Sequence, residues 1–265
     1  WQELYSAKLK TNLTITFAFV ATHNHFVLDR GAKVFNRSAP VIKLPEGSSV
    51  ADHLGFLGLL NSSLACFWIQ QVCHNKGGPG GGSSKDEKWH DFFEHDGTKL
   101  KQFPIVSERP SGLAAQIDFV ASEIQRILPD QLFVDAIPAA SDVSSAKSRV
   151  EKLKRKLVSV QEELDWYVYS LYGITESRIC YDAEPPEVTI GERAFEIALA
   201  RDFLDGKVQT RWFEWLGCKP CVDIPSSWPD EYRELVRRRI QAIEQSTDLR
   251  LIESMNCKRR WESQS

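Results

Sequence analysis

The spacing of apolar residues changes character near the middle of the chain. Residues 13–20, in TNLTITFAFVAT, are β-branched and aromatic with no helical period, which predicts a buried strand. HNHFVLDRGAKVFNRSAPVIKL then predicts two or three short strands around a turn at Asp29–Ala32, and Pro40 and Pro45 confine the last of them to an edge or a terminus. On such a strand His23 and His25 alternate and share one face. Asp52 is placed to cap a helix carrying Leu54, Leu57 and Leu60. Ser62 is placed to cap the next, Leu64 to Val72, after a break at Asn61. GGPGGG at 77–82 excludes regular structure, and the aromatic cluster Trp89, Phe92 and Phe93 follows it.

Past Pro110 the period becomes helical. Leu113, Ile117, Val120, Ile124 and Leu128 mark one helix. Val150, Leu153, Leu157, Val160, Leu164, Tyr167 and Leu171 alternate spacings of three and four, a heptad seam that predicts a helix packed on a neighbour and stopped at Gly173. Two further helices are expected around Arg193–Leu204 and Asp230–Glu244, with Trp212, Trp215 and Trp228 as core anchors. The predicted class is α+β: a mixed α/β domain over 1–110, a helical region with a long heptad helix over 111–175, and a helical C-terminal region over 176–265.

Composition narrows the picture. At 265 residues the chain is near the upper limit for a single core, and with 42% apolar residues it can bury enough surface to fold. No stretch reaches the roughly 18 uninterrupted apolar residues of a membrane-spanning helix, and no basic-then-apolar leader opens the chain. The six cysteines are scattered, which fits a reduced, cytoplasmic setting better than a disulfide scaffold. Trp1 at the start, with Met255 as the sole methionine, suggests a piece of a longer protein whose catalytic core would lie upstream. Net charge is −3, but it is uneven. Residues 1–104 hold 11 Lys and Arg against 9 Asp and Glu, with all six His, whereas 105–265 hold 22 against 27. A polyanion is therefore favoured by the N-terminal part.

Candidate chemistry follows that asymmetry. The glycine run is no phosphate loop: the segment before it is expected to be helical, and no Gly-Lys-Ser/Thr follows. Its flanks, His74, Asn75 and Lys76 before and Ser83, Ser84, Lys85 and Lys88 after, suit contact with a DNA phosphate or groove. Arg30, Lys33, Asn36 and Arg37, beside Asp29, form a polar loop, read as a hairpin, whose Arg and Asn can bond base edges in pairs. In the C-terminal part, the basic half-helix 147–156 and the triplet Lys258–Arg260 are within possible reach of phosphates, while the Asp and Glu on helix faces read as solvated. The lone CxxC, Cys218 and Cys221, lacks a second ligand pair at zinc spacing, so buried thiols are expected there and no metal site. No GxSxG, HExxH or Asn-Pro-Pro-aromatic motif occurs, so no catalytic residue is assigned.

Several runs carry a family resemblance: LGLLNSSLACFWIQQVCHNKGGPGGG, EKWHDFFEHDGTKLKQFPI, ATHNHFVLDRGAKVFNRSAPVIKLP, EELDWYVYSLYGI, GERAFEIALAR and CKRRW. They resemble the target-recognition region of the PglX family, adenine-specific DNA methyltransferases of BREX phage-defence systems, over nearly the whole chain. The resemblance implies a DNA-specificity part that binds double-stranded DNA. The S-adenosylmethionine site and the catalytic Asn-Pro-Pro-Tyr loop would lie N-terminal to Trp1, leaving no cofactor in this fragment. The alternative implied is an interaction module in which 146–172 and the acidic C-terminal part dock other BREX proteins or a phage inhibitor.

Overall fold

The computed structural model describes residues 13–31, 33–78, 88–128, 131 and 139–261. The class is α+β, and the chain divides into two compact units. Unit 1 runs to Ala114 and takes back Leu251–Arg259. Unit 2 comprises Ala115–Arg250 and the segment from Arg260.

In unit 1 the first apolar run forms β1 (Thr14–Phe17), central in a sheet of order β3-β1-β4. β3 (Phe26–Asp29) pairs antiparallel from Thr14↔Asp29 to Phe17↔Phe26, and β4 (Val41–Ile42) pairs antiparallel on the other side. β4 lies at the edge between its two prolines, as expected. Because β3 and β4 both flank β1, residues 30–40 cross from one sheet edge to the other. The hairpin expected there is absent, because the sequence has no two-residue turn forcing β3 and β4 to pair. A second sheet has the order β2-β6-β5, from β2 (Val20–Ala21), β6 (Phe92–Glu94) and β5 (His74–Gly77). His23 and His25 sit between β2 and β3, off any strand, with His23 buried and His25 exposed.

Two helices, α1 (Val50–Leu60) and α2 (Ser63–Val72), follow the first sheet. Ser62 caps α2 as predicted. α1 is capped by Ser49, not Asp52: Ser49 Oγ accepts the Asp52 N–H while the Asp52 carboxylate accepts the Ser49 N–H, a reciprocal capping box. At Gly55 a Cβ would collide with Ser111 Oγ and Arg109 Cβ, so the helix can be approached this closely only without a side chain there. α3 (Gly97–Leu100) completes the helical layer, and α4 (Ser111–Gln125) begins in unit 1 and continues into unit 2. No single helix among the described residues is long and apolar enough to cross a membrane.

The corner between α1 and α2 is closed by side-chain amides. Asn61 accepts the Phe26 N–H at 3.0 Å and donates to the Phe26 C=O at 2.9 Å, standing in for a missing strand. Asn24 Nδ2 donates to the Leu60 and Ser62 carbonyls at 2.7 and 2.8 Å. The returning C-terminal segment seals this corner. Arg259 donates to Asn61 Oδ1 at 2.8 Å, Gln70 donates to the Asn256 C=O at 2.8 Å, and His23 Nε2 lies 3.0 Å from the Cys257 C=O. Lys258, only 1% exposed, pairs with the buried Glu253 at 3.0 Å. Of the triplet Lys258–Arg260, expected within reach of phosphates, Lys258 and Arg260 are buried, and the half-buried Arg259 is engaged by Asn61 and the Asn24 C=O.

Unit 2 is built on α5 (Ala140–Leu171). Its first half is largely exposed, but from Leu157 to Trp166 every residue is buried, including Glu162, Glu163 and Asp165. A seam on one face, and solvated acids on the other, therefore describe only the beginning of this helix. Gly173 ends it at φ +69, with the Ile174 N–H bonded back to the Tyr169 C=O at 2.9 Å. α6 (Ala194–Leu204), α7 (Trp212–Trp215), α8 (Asp230–Gln245) and α9 (Thr247–Ile252), which runs on into unit 1, follow. Trp212 and Trp228 are core anchors as expected, whereas Trp215 is 50% exposed. Of the CxxC thiols, both are partly exposed, and burial pushes Cys218 up to about 11.

Two buried ion pairs tie the core. Glu163 accepts from Arg239 Nη2 at 2.7 Å and from the Tyr181 N–H at 2.8 Å, while Arg239 also donates to the Ile179 C=O. Arg193 clamps Glu196 with two bonds of 2.9 and 2.6 Å, and the same carboxylate accepts from the Gly191 N–H and Trp212 Nε1. Burial alone pushes the Glu196 carboxyl up, but Arg193 and these donors outweigh it and hold it below its ordinary value of 4.5.

Glu196→Gln should destabilise the protein by about 3–5 kcal/mol by stranding Arg193, and adding Arg193→Met, which removes the stranded cation while Gln still accepts from the Gly191 N–H and Trp212 Nε1, should recover part of that loss. Chemical denaturation monitored by tryptophan fluorescence checks both. Since the folded pKa of Glu196 lies below the unfolded one, its contribution is present above about pH 4.5 and is lost as pH falls through the folded value. The E196Q variant should therefore lose less stability on acidification than the parent chain. For unit 1, Asn61→Ala leaves both Phe26 backbone groups without their amide partner and should cost about 2–3 kcal/mol. A double-mutant cycle with Arg259→Ala should show coupling, and strictly additive losses would refute a shared lock.

Candidate nucleic-acid interface

The hairpin β5–β6 positions one of the two predicted contact sets. α2 ends at Val72, and the chain then forms β5 before the glycine run, so the segment preceding those glycines is a strand, not the helix expected. β6 pairs with β5 antiparallel, from His74↔Glu94 to Gly77↔Phe92 across a bulge. The glycine-rich run therefore joins two paired strands, an arrangement unlike a phosphate loop, which leads from a strand into a helix. β5 is an edge strand, and His74, Asn75 and Lys76 on it are exposed, as is Lys88 in a 3-10 turn (Lys88–His90) on the far side of the run. Ser83, Ser84, Lys85 and most of the glycines lie outside the described residues.

These exposed groups are held in place from within the hairpin. Lys76 pairs with Glu94 on β6, Asn75 Nδ2 donates to Asp91 at 2.8 Å, and Asn75 Oδ1 accepts the Gly77 N–H. Below them Trp89 and Phe93 are buried, anchoring the return strand. Such pairing steadies the edge and offsets the charge of Lys76 with that of Glu94.

The second set, Arg30, Lys33, Asn36 and Arg37, is exposed along the crossover segment between β3 and β4. Asn36 folds its own turn, with Oδ1 accepting the Ser38 N–H at 2.9 Å. The Arg37 guanidinium lies over the Phe19 ring at 5.7 Å. Phe19, which sequence reasoning did not single out, ties the crossover to the segment just after β6. Its N–H bonds to the Ser38 C=O at 3.0 Å, and its C=O accepts the His95 N–H at 2.7 Å. The crossover carrying Arg37 and the strand end carrying Glu94 thus hang on one residue between β1 and β2. The hydrophobic pattern marks Phe19 only as one more strand residue, and nothing in the sequence signals that role.

Electrostatics inside this region are those of a neutral scaffold with cations at the rim. Burial pushes the His95 imidazole below its usual range. Among the described residues no group of three or more His, Cys, Asp or Glu is arranged to hold a metal ion. In unit 2 the basic stretch of α5 is matched by acids: Arg149 bonds Glu123 at 3.0 Å, Arg155 bonds Glu187 at 2.8 Å and Lys156 bonds Glu184 at 2.5 Å.

Comparison with known proteins adds three findings. A domain of unknown function, DUF7008, matches residues 157–265, a span that covers most of unit 2 and the segment returning to unit 1. No solved structure matches the chain. Across 257 residues, 94% of its length, the chain is 42% identical to the adenine-specific methyltransferase PglX of Streptomyces coelicolor, and the match spans 21% of that protein. The chain is therefore similar, nearly end to end, to about a fifth of an adenine-specific methyltransferase of the PglX kind.

Proposed function

We propose that unit 1 is the DNA-sequence-recognition part of a PglX-like, site-specific adenine DNA methyltransferase acting in phage defence, and that the catalytic domain and its S-adenosylmethionine site belong to another part of the parent protein. The observation that carries this reading is the exposure of both polar sets, one on the β5–β6 edge and one on the 30–40 crossover, with Phe19 bonded to Ser38 of the crossover and to His95 just after β6. Likeness to an adenine-specific methyltransferase supplies the substrate class.

In this reading the two sets divide the work. Lys76, Lys88 and Lys85, with His74, Ser83 and Ser84, contact the phosphate backbone and set the register of the protein on the duplex. Arg30, Lys33, Asn36, Arg37 and Asn75 face base edges, where a guanidinium or an amide can make two bonds to one base. The Glu94 and Asp91 partners hold Lys76 and Asn75 extended before DNA arrives, so less side-chain entropy is lost on binding. The parent enzyme would then flip the target adenine into its catalytic domain for transfer of a methyl group to the exocyclic amine.

Titration of duplex DNA at two salt concentrations tests the assignment. Replacing Lys76, Lys85 and Lys88 together by Ala should weaken binding to all sequences and reduce the salt slope by about one unit per lost phosphate contact. Arg37→Ala should instead relax discrimination at one base pair, by about 1–3 kcal/mol. Unchanged affinity and slope in the triple variant would remove the hairpin from the interface.

A further inference from the structure

Unit 2 holds a cavity of about 430 Å3 whose lining combines indole rings with two cations and one carboxylate: Lys154, Arg155 and Glu151 from α5, Trp215 at the end of α7, and Trp261, with Thr189 on the facing loop. Its walls are fixed. The Val188 N–H bonds to the Arg155 C=O at 3.3 Å, and Trp228 Nε1 donates to the Glu187 C=O at 3.2 Å, pinning the loop against α5. α7 is anchored by the buried Trp212, one turn before Trp215.

Three features set this cavity apart from an ordinary surface dent. Trp215 is half exposed although the same short helix buries its other tryptophan completely. Trp261 has φ +32, and among the described residues it is the one non-glycine residue with positive φ; such strain persists where a side chain must be aimed at a particular place. Trp261 also closes the CKRRW run, whose three basic residues are absorbed into the fold while its tryptophan lines the cavity. Lys154 lies 3.5 Å from Glu151, and Arg155 engages Glu187 through Nε, so the cations are oriented along one wall.

We propose that this cavity binds a nucleoside phosphate, with the base against the indoles of Trp215 and Trp261 and the phosphate at Lys154 and Arg155. The volume lies within the range of about 300–1,000 Å3 usual for small-ligand sites. A planar base offers a π face to each indole, which a simple anion cannot. The cations in turn exclude a purely apolar guest, because burying them beneath one would remove their hydration without return. The nucleoside phosphate can arrive free or as part of a single strand; the chemistry recognised is the same.

Isothermal titration of the chain with AMP and with TMP, beside inorganic phosphate, tests the site. Saturable nucleotide binding tighter than about 1 mM is expected, with inorganic phosphate much weaker. Trp215→Ala and Lys154→Glu each should weaken it at least about tenfold, while Trp215→Tyr, which keeps a ring, should retain most of it. Both positions are partly exposed, so melting temperatures should stay unchanged. If Trp215→Ala nevertheless shifts the melting temperature, Lys154→Glu with Trp215→Tyr carries the comparison. Absence of saturable binding by either nucleotide, equal binding of inorganic phosphate, or full affinity in Trp215→Ala would overturn the proposal. Competition with single-stranded oligothymidylate names the source: displacement of AMP at lower base concentration supports a strand-borne base, and no displacement supports a free nucleotide.

Discussion

Unit 1 depends on one side chain doing the work of a strand. Asn61 bonds both backbone groups of Phe26, and in doing so it joins the end of α1 to the edge of the first sheet. Without that pairing the N–H and C=O of Phe26 would have no ladder partner on that side, since β3 is an edge strand. Asn24 closes the same corner from the other direction through Leu60 and Ser62. Arg259 then locks Asn61 in place from the far end of the sequence. The runs ATHNHF, LLNSSLACFW and CKRR, separated by up to 235 residues, meet at this corner, which gives their joint presence a physical reason independent of any ligand.

That closure also constrains how the chain can be divided. Leu251–Arg259 belongs with unit 1, so unit 2 is, in sequence, largely an insertion between Ala114 and Leu251. A fragment ending near residue 110 would lack the partners of Asn61, Gln70 and His23 and would carry a damaged corner. Unit 2 meets its own demand differently. It pairs two buried arginines with two buried glutamates, and each pair is supplied with further bonds: Glu196 alone accepts from Arg193, Gly191 and Trp212. Buried charge of this kind stabilises little beyond an apolar replacement, but it penalises every alternative packing, because any other arrangement leaves an ion unpaired.

The sequence made some of this legible and concealed the rest for identifiable reasons. The break at Asn61 and the cap at Ser62 could be read because a helix start has a local signature. The capping box at Ser49 and Asp52 is equally local, with its three-residue spacing, yet the acid attracts attention before the serine does. Heptad spacing located α5 but not its surroundings: periodicity reports one apolar stripe, whereas Leu157–Trp166 is enclosed on every side. The basic triplet 258–260 looked like a surface feature because charge in a sequence carries no record of burial, and the partners of Lys258 and Arg259 are set by tertiary structure. The 30–40 segment looked like a hairpin because strand content was visible and strand order was not; only the pairing of both β3 and β4 with β1 makes it a crossover.

The same distinction bears on what a recognition surface needs. A rigid base and a variable rim are different physical demands, and unit 1 meets them with different residues. Buried Trp89, Phe93 and the Phe19 backbone bonds fix the position of the hairpin and the crossover, and none of them faces outward to read a base. The exposed residues, by contrast, are short-range decorations on that base: Asn75 and Lys76 are steadied by Asp91 and Glu94 on the neighbouring strand, and Arg37 by the Phe19 ring. Changing a rim residue therefore leaves the anchoring bonds intact, so binding preference can shift without loss of the fold. Changing Phe19, by contrast, disturbs the crossover and the segment after β6 at once, because both are bonded to it. On the proposed reading, separation of this kind would let one scaffold present different readouts, with specificity tied to residues whose substitution costs the fold little.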